Sequence, residues 1–420
     1  MTFEDALSHR TGMPRHDLSY GGPNFTIRDA VRSLRHLPLT AELRTKFQYC
    51  NLMYVVVSHA IETITSTWLG DFLFERIWEP LGMSSTYFSL EDAKAAVSAG
   101  NASLARGYLW ANSTQEYFEV PYMDETVGSG AGAVISNVLD YAKWLRCMMT
   151  MSPPLSQAGH TAVRSPRIHS AIPDVPPFTG SESYGLGWQI SIYRNEPLLW
   201  HGGGLTGFGA VMAYLPRKQW GVAMMGNTAT TSGFVQQTLM FQLLDDFLST
   251  PQSERYNWTA QIEKLTEQAD YSLRHADERL YPNAPKGEKA LPLSLPLDSY
   301  TGLYSHPGYR NLTLTLINKN ATYAPSDLPD PRSTQLLHAD VWDRMLPQLV
   351  NLHHVSGEYF LMHTRFEALA NTSEAYIDYA LVWDSMVPAE FRIGADGKVA
   401  EMGVGIERLM GKEMIWFRKI

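Results

Sequence analysis

Apolar residues recur at helical spacing in several runs before residue 250 and alternate with polar residues after about residue 290. The runs YVVVSHAIETI (Tyr54–Ile64) and FLFERIW (Phe72–Trp78) predict buried or amphipathic helices, the second stopped by Pro80. SNVLDYAKWLRCMM, from Ser136, predicts a helix with Ser136 as N-cap and Tyr141, Trp144, Leu145 and Met148 on one face. Then the pattern changes. WQISIY, LLWHGG, FGAVMAYL and GVAMMGN are short apolar runs separated by the turn formers RNEP and PRKQ, which predicts antiparallel strands, some buried on both faces. FVQQTLMFQLLDDFL repeats Val235, Leu239, Leu243 and Phe247 at near-helical spacing and ends before Pro251, a last helix for this part.

From 251 to 292 the chain is polar and helical, then proline-rich (YPNAPKGEKALPLSLP), and reads as a linker. Beyond it, LTLTLI, EYFLMHT, EFRIGADGKVAEMGVGI and EMIWFRKI alternate, and Asp396-Gly397 is a hairpin signal, so residues 293–420 read as an all-β domain. The fold class is α+β in two domains, with residues 1–250 forming the first.

Composition narrows the function. The 420 residues are 45% hydrophobic, enough for two cores, and 43 acidic against 34 basic side chains leave a net charge of -9 with no long basic run, so neither nucleic acid nor an anionic membrane is an expected partner. No apolar run approaches the roughly 18 residues of a membrane span, and the first twenty residues are too polar for a signal peptide. Cys50 and Cys147 sit in no metal-ligand spacing. Seven asparagines, Asn24, Asn101, Asn112, Asn257, Asn311, Asn320 and Asn371, open N-x-Ser/Thr sequons, against about two expected by chance. That excess fits a secretory glycoprotein if a signal peptide lies upstream; a true start at Met1 points to the cytoplasm.

Two elements could carry chemistry. In an extended segment residues two apart point the same way, so Tyr49 and Asn51 in FQYCN would share a cleft, a phenol to move a proton and an amide to hold a carbonyl. A buried tyrosine anchoring a helix start would look the same. In LLWHGGGLTGFGAV, His201 ends a strand and the glycines after it let a ligand approach and leave backbone N–H groups for an oxyanion. A structural histidine is the alternative there.

Six segments, DALSHRTGMPRHD, FQYCN, FERIWEPLGMSSTYFS, GSGAGAVISNVLDYAKWL, YGLGW and WHGGGLTGFGA, occur in the order found in the class C β-lactamase superfamily, which residues 1–250 therefore resemble. That superfamily includes penicillin-binding proteins, D-amino-acid peptidases, esterases and acyltransferases, some of the last acting in fungal secondary metabolism. The β domain resembles the small lipocalin-like barrel appended to some members. The resemblance implies an acyl-enzyme mechanism without cofactor or metal, on a small ester, amide or peptide. It casts Tyr49 as proton shuttle, Asn51 as orienting amide, His201 and Gly203 as parts of the third signature, and the Gly204 N–H as an oxyanion donor. Tyr49 and Asn51 should then lie within about 10 Å of His201 and Gly204. With His201 where many members carry lysine, the expected substrate is an ester or peptide rather than a β-lactam.

The family's nucleophile motif, S-x-x-K, is not found in this sequence. The resemblance implies that it precedes ALSHRTG, so the first domain is expected to be incomplete at its N-terminus. The chain would then be a shortened form of an active hydrolase, a pseudoenzyme that binds an acyl or peptide ligand, or an interaction protein. Substitute nucleophiles are weak candidates: alternation points Cys50 toward the core, and Ser129 in GSGAGA reads as a tight turn. His353, His354 and His363 suggest no metal, since successive strand residues face opposite ways.

Overall fold

The computed structural model describes all residues except 23, 112–114, 172–176, 229–230, 319–333, 368–375 and 378–385. Asn112, Asn320 and Asn371 lie outside the described residues. The chain divides into two compact units: Met1–Asp17, Thr26–Arg32 and Pro38–Ala260 in one, and Leu18–Phe25, Ser33–Leu37 and Gln261–Ile420 in the other.

The first unit contains a hairpin, β1 (Gly107–Ala111) and β2 (Glu116–Val120), and a six-stranded antiparallel sheet. The sheet runs in sequence order through β3 (Ile168–Ala171), β4 (Glu182–Tyr184), β5 (Gln189–Tyr193), β6 (Glu196–Leu205), β7 (Phe208–Leu215) and β8 (Trp220–Gly226). Its alternation sorts side chains onto two faces. Tyr193, Leu198, Ala213 and Leu215 meet Met240, Phe241 and Leu244 of the helix Thr231–Phe247, together with Trp258. Leu199 and Tyr214, one residue out of phase, meet Leu145 and Met148 of the helix Val138–Thr150 on the opposite face. Both faces are covered, which is why these strands read as nearly continuous apolar runs. A third cluster, Leu69, Trp78, Met83 and Phe88 with Tyr141 and Trp144, holds the helical part together.

One local expectation is corrected. The N-cap of the helix Val138–Thr150 is Asn137, whose Oδ1 accepts from the N–H groups of Leu139 and Asp140, while Ser136 shares a hydrogen bond with Thr86 at 2.7 Å. Asn137 has the extended backbone a cap needs, φ -137° and ψ 169°, so the start shifts by one residue. The helix Thr231–Phe247 carries two apolar faces, and only one can meet the sheet. Met240, Phe241 and Leu244 take that place, and the row Val235, Leu239, Leu243 and Phe247 is left 57%, 44%, 43% and 44% exposed.

The second unit is an antiparallel barrel. Strands β9 (Gly302–His306), β10 (Arg310–Asn318), β11 (Gln335–Val341), β12 (Gln348–Ser356), β13 (Tyr359–Glu367), β14 (Tyr376–Ile377), β15 (Met386–Ile393), β16 (Val399–Val404) and β17 (Ile415–Lys419) make the sheet. Pairing of β12 with β13 and of β17 with β9 closes eight of them into a ring, with β14 beside β13. Tyr300, Tyr304, Phe360 and Phe391 pack as one aromatic cluster. Leu361, one residue on from Phe360, faces the other way and packs with Met386 against Ala276 of the helix Ala276–Leu280. The Asp396-Gly397 turn joins β15 to β16, with Gly397 in the left-handed conformation its position requires, φ 75°. His354 lies against Phe360 whereas His353 is 6.3 Å from His363, so the adjacent histidines do face opposite ways, and the described residues hold no cluster of three metal ligands.

Phe241 is fully buried and stacks on Trp258 at 4.1 Å and Tyr193 at 5.2 Å. Phe241→Ala should cost the first unit about 3–5 kcal/mol, read as a lowered urea midpoint; a loss below about 1 kcal/mol would mean that this helix does not anchor the sheet.

Candidate active site

The site begins with a carboxylate that gathers two separated segments. Asp5, fully buried, accepts from Arg10 Nε at 2.8 Å and from Arg44 Nε and Nη2 at 2.8 and 2.9 Å. Hydrogen bonds from Arg44 above all, and from Arg10 and Thr2, hold its pKa well below the usual carboxylate range. The backbone follows: the N–H of Arg44 donates to Arg10 O at 2.7 Å and that of Gln48 to His9 O at 2.8 Å. The N–H of Cys50 donates to Nδ1 of His9 at 3.1 Å. His9 is thus placed beneath the Y-x-N segment, its backbone left-handed at φ 55° and its ring 4.2 Å from that of Tyr49. Burial pushes its pKa down to about 3, so it is neutral and free to accept.

Tyr49 and Asn51 are both half-buried, with Asn51 opening the helix Asn51–Thr65. Cys50 between them points inward, fully buried, its thiol 3.7 Å from Arg15 O and its pKa pushed up to about 12 by burial. It is no nucleophile. The guanidinium of Arg15 lies over the Tyr49 ring, 5.0 Å from its centroid, while Arg15 Nε bonds Asp17 at 2.6 Å. Burial raises the pKa of the Tyr49 phenol and the Arg15 charge opposes that rise.

The opposite wall is the end of β6. Its pairing with β5 stops at Trp200, whereas its pairing with β7 continues through Leu205, so residues 201–205 have an edge with no strand beside it among the described residues. Gly203 is exposed, and a Cβ there would meet nothing within 4 Å. His201 stands at the start of this edge with its ring 6.1 Å from that of Tyr49. The two sequence elements are therefore brought together. No hydrogen bond ties the Asn51 amide to either ring among the described residues.

Both imidazole nitrogens of His201 are engaged. Nδ1 lies 2.7 Å from Gly202 O, which can only accept, so Nδ1 carries hydrogen and Nε2 accepts from the Tyr184 hydroxyl at 2.9 Å. Burial lowers the His201 pKa and raises that of Tyr184, consistent with a neutral imidazole and a protonated phenol. An imidazole whose protonation burial disfavours stands at this position of the wall. The GSGAG segment packs on the helix that Asn51 opens: Ser129–Gly132 is a helical turn, and a Cβ on Gly130 would fall 1.7 Å from Ser58 Oγ. Ser129 is buried in that turn.

Sequence reasoning missed His9, Arg15 and Tyr184. All three lie in quoted motifs, DALSHRTGMPRHD and YGLGW, but nothing in one dimension says that the His9 ring and the Arg15 guanidinium meet Tyr49 or that Tyr184 meets His201. The sequon asparagines Asn24, Asn101, Asn257 and Asn311 are exposed. Among the described residues no helix is long and apolar enough to cross a membrane.

With this geometry in place, comparison identifies the class. The chain belongs to the beta-lactamase family, whose pattern covers residues 1–246, and residues 286–419 match a domain of unknown function, DUF3471. It is a beta-lactamase-like serine hydrolase family with penicillin-binding proteins among its relatives. Among individual proteins the chain is 37% identical over 424 residues to the unguisins hydrolase ungD' of Aspergillus campestris, covering 100% of this chain and 73% of that protein. It is 37% identical over 443 residues to the unguisins hydrolase ungD of Aspergillus violaceofuscus, covering 100% and 72%. The octameric penicillin-binding protein homologue of Pyrococcus abyssi shares the fold, with a TM-score of 0.50 at 17% identity over 99% of this chain and 77% of that one.

Two outcomes follow from the site's electrostatics. A His9 folded neutral with a pKa near 3, against 6.5 for a free imidazole, contributes stability that is complete above pH 6.5 and falls as pH drops toward 3. His9→Asn, which keeps an acceptor but does not titrate, should flatten unfolding midpoints between pH 6.5 and 4; an unchanged slope would mean the ring is not held neutral. Arg15→Gln should move the Tyr49 titration upward, followed by NMR of ring-labelled tyrosine; a downward move would show that the guanidinium does not act on the phenol.

Proposed function

We propose that this chain supplies the substrate-binding and proton-transfer part of a serine hydrolase that opens an amide or ester bond in a substrate without a carboxylate at the β6 end. The observation that carries the proposal is the meeting of Tyr49 and His201, rings 6.1 Å apart, beside the unpaired edge of β6. Tyr49 relays the proton between nucleophile and leaving group, Asn51 orients substrate, and the N–H of Gly204, beside Gly203, takes the developing oxyanion. His201 is a neutral positioning group locked by Tyr184. A neutral imidazole offers a substrate carboxylate no counter-charge, which supports an esterase or amidase over a β-lactamase. That the 37% identical relatives are unguisins hydrolases supports a hydrolase acting on a compound of that kind.

In this reading the attacking hydroxyl loses its proton toward Tyr49 as the C–O bond forms, the tetrahedral intermediate collapses, and Tyr49 returns the proton to the departing amine or alcohol. Water then cleaves the acyl ester by the same route. No serine of the sequence lies three residues before a lysine. We place the nucleophile on a segment upstream of Met1, and two surfaces support this: the exposed row Val235, Leu239, Leu243 and Phe247, and the outer edge of β8, beside which no strand is paired among the described residues. Alone, the chain would bind acyl or peptide ligands with little turnover, since loss of the nucleophile costs on the order of a million-fold.

The test is labelling with a fluorophosphonate probe at neutral pH. The chain as given should stay unlabelled, and the product of the native transcript should be labelled at an upstream serine, more slowly by about 100-fold or more in Tyr49→Phe. Labelling of the chain by itself, or a native start at Met1 with full activity, would overturn the proposal.

A further inference from the structure

One ionisable group beside this edge has no task in the mechanism above. Glu125 lies in the loop between β2 and the Ser129–Gly132 turn. Its Oε1 is buried and meets no hydrogen-bond donor among the described residues. Its Oε2 is 3.1 Å from the position a Cβ on Gly132 would occupy, and the same position is 3.6 Å from Cδ2 of Leu205. The Glu125 carboxyl and the Leu205 side chain therefore flank the space that residue 132 leaves empty. Leu205 directly follows Gly204 and, by strand alternation, shares a face of β6 with His201 and Gly203. A second contact fixes the same loop: Thr206 donates its hydroxyl to Met123 Sδ at 3.6 Å. No arginine or lysine forms an ion pair with Glu125 among the described residues, and the neighbouring charge is that of Asp124.

A buried carboxyl oxygen without a donor is costly to keep, and where such groups serve structure alone they are paired. We infer that Glu125 is a subsite for an N–H donor on the acyl part of the substrate, an ammonium or an amide N–H within reach of the bond held at Gly204. This inference rests on the reading of the β6 edge as the acyl site. Burial first, and Asp124 second, push the Glu125 pKa up to about 7, so near neutrality the carboxyl accepts a donor without a large charge penalty. The site's polarity is then the reverse of one built for a carboxylate: a neutral imidazole at one end of the glycine edge and a carboxyl at the other.

The experiment is calorimetric titration of the full chain with phenylalaninamide, N-acetylphenylalaninamide and 3-phenylpropionamide between pH 6 and 8. The two compounds with a nitrogen donor should bind about 10-fold or more tighter than the third, and Glu125→Leu should erase that difference while leaving 3-phenylpropionamide unchanged. Phenylalaninamide binding that passes through a maximum between the carboxyl and α-amino titrations, weaker at pH 6 and falling again toward pH 8, and that is lost in Glu125→Gln, identifies an ammonium as the donor. An acetylated compound that keeps its advantage in Glu125→Gln identifies the amide N–H. Equal binding of all three compounds, unaffected by Glu125→Leu, overturns the subsite and leaves the acyl site standing. Failure of all three to bind overturns both.

Discussion

A buried neutral imidazole in the first unit decides where the Tyr49 and Tyr184 side chains stand. His9 can accept the Cys50 N–H only if its Nδ1 carries no proton, and burial keeps it so. That bond ties the segment down where Tyr49 turns its ring toward His201, Cys50 is buried and Asn51 opens the helix. His9 is itself held by neighbours: the left-handed turn it adopts is stabilised by backbone bonds to Gln48 and by Asp5, which draws Arg10 and Arg44 together. Tyr49, Arg15, Tyr184 and His201 are arranged around this ring, and none of them is placed by its own local sequence.

The sheet does the complementary work. Its two faces are filled by different helices, so β6 cannot slide by one residue without turning Leu198 and Leu199 to the wrong sides. Register fixed in the core at 198–200 is carried into the overhang at 201–205, the wall that His201 and the glycines form. The overhang exists because β5 is only five residues long, Gln189–Tyr193, while β6 has ten.

Much of this was legible in one dimension, and the gaps have physical causes. The helices after residue 50, the short strands between 188 and 227, the Asp396-Gly397 hairpin and the β character of the C-terminal part follow from periodicity and turn chemistry, which are local. The juxtaposition of Tyr49 with His201 came from six ordered motifs and not from spacing. His9 and Tyr184 went unread because their partners are 41 and 17 residues away in sequence. Glu125 stood out least, since its meaning depends on an atom that Gly132 lacks. The helix Thr231–Phe247 shows the limit of pattern reading: two apolar stripes satisfy the same periodicity, and only packing chooses between them.

The overhang of β6 has a consequence for handedness. An extended ligand laid along residues 201–205 would pair by its main chain and send successive substituents alternately above and below the sheet. Above and below are not equivalent here, because Leu205 occupies one side of the strand and the side chain of Gly203 is missing from it. Inverting a single stereocentre in such a ligand would exchange the two sides while leaving the main-chain pairing unchanged. A wall of this kind distinguishes mirror-image residues by which surface they must touch, with no pocket shaped for any particular side chain.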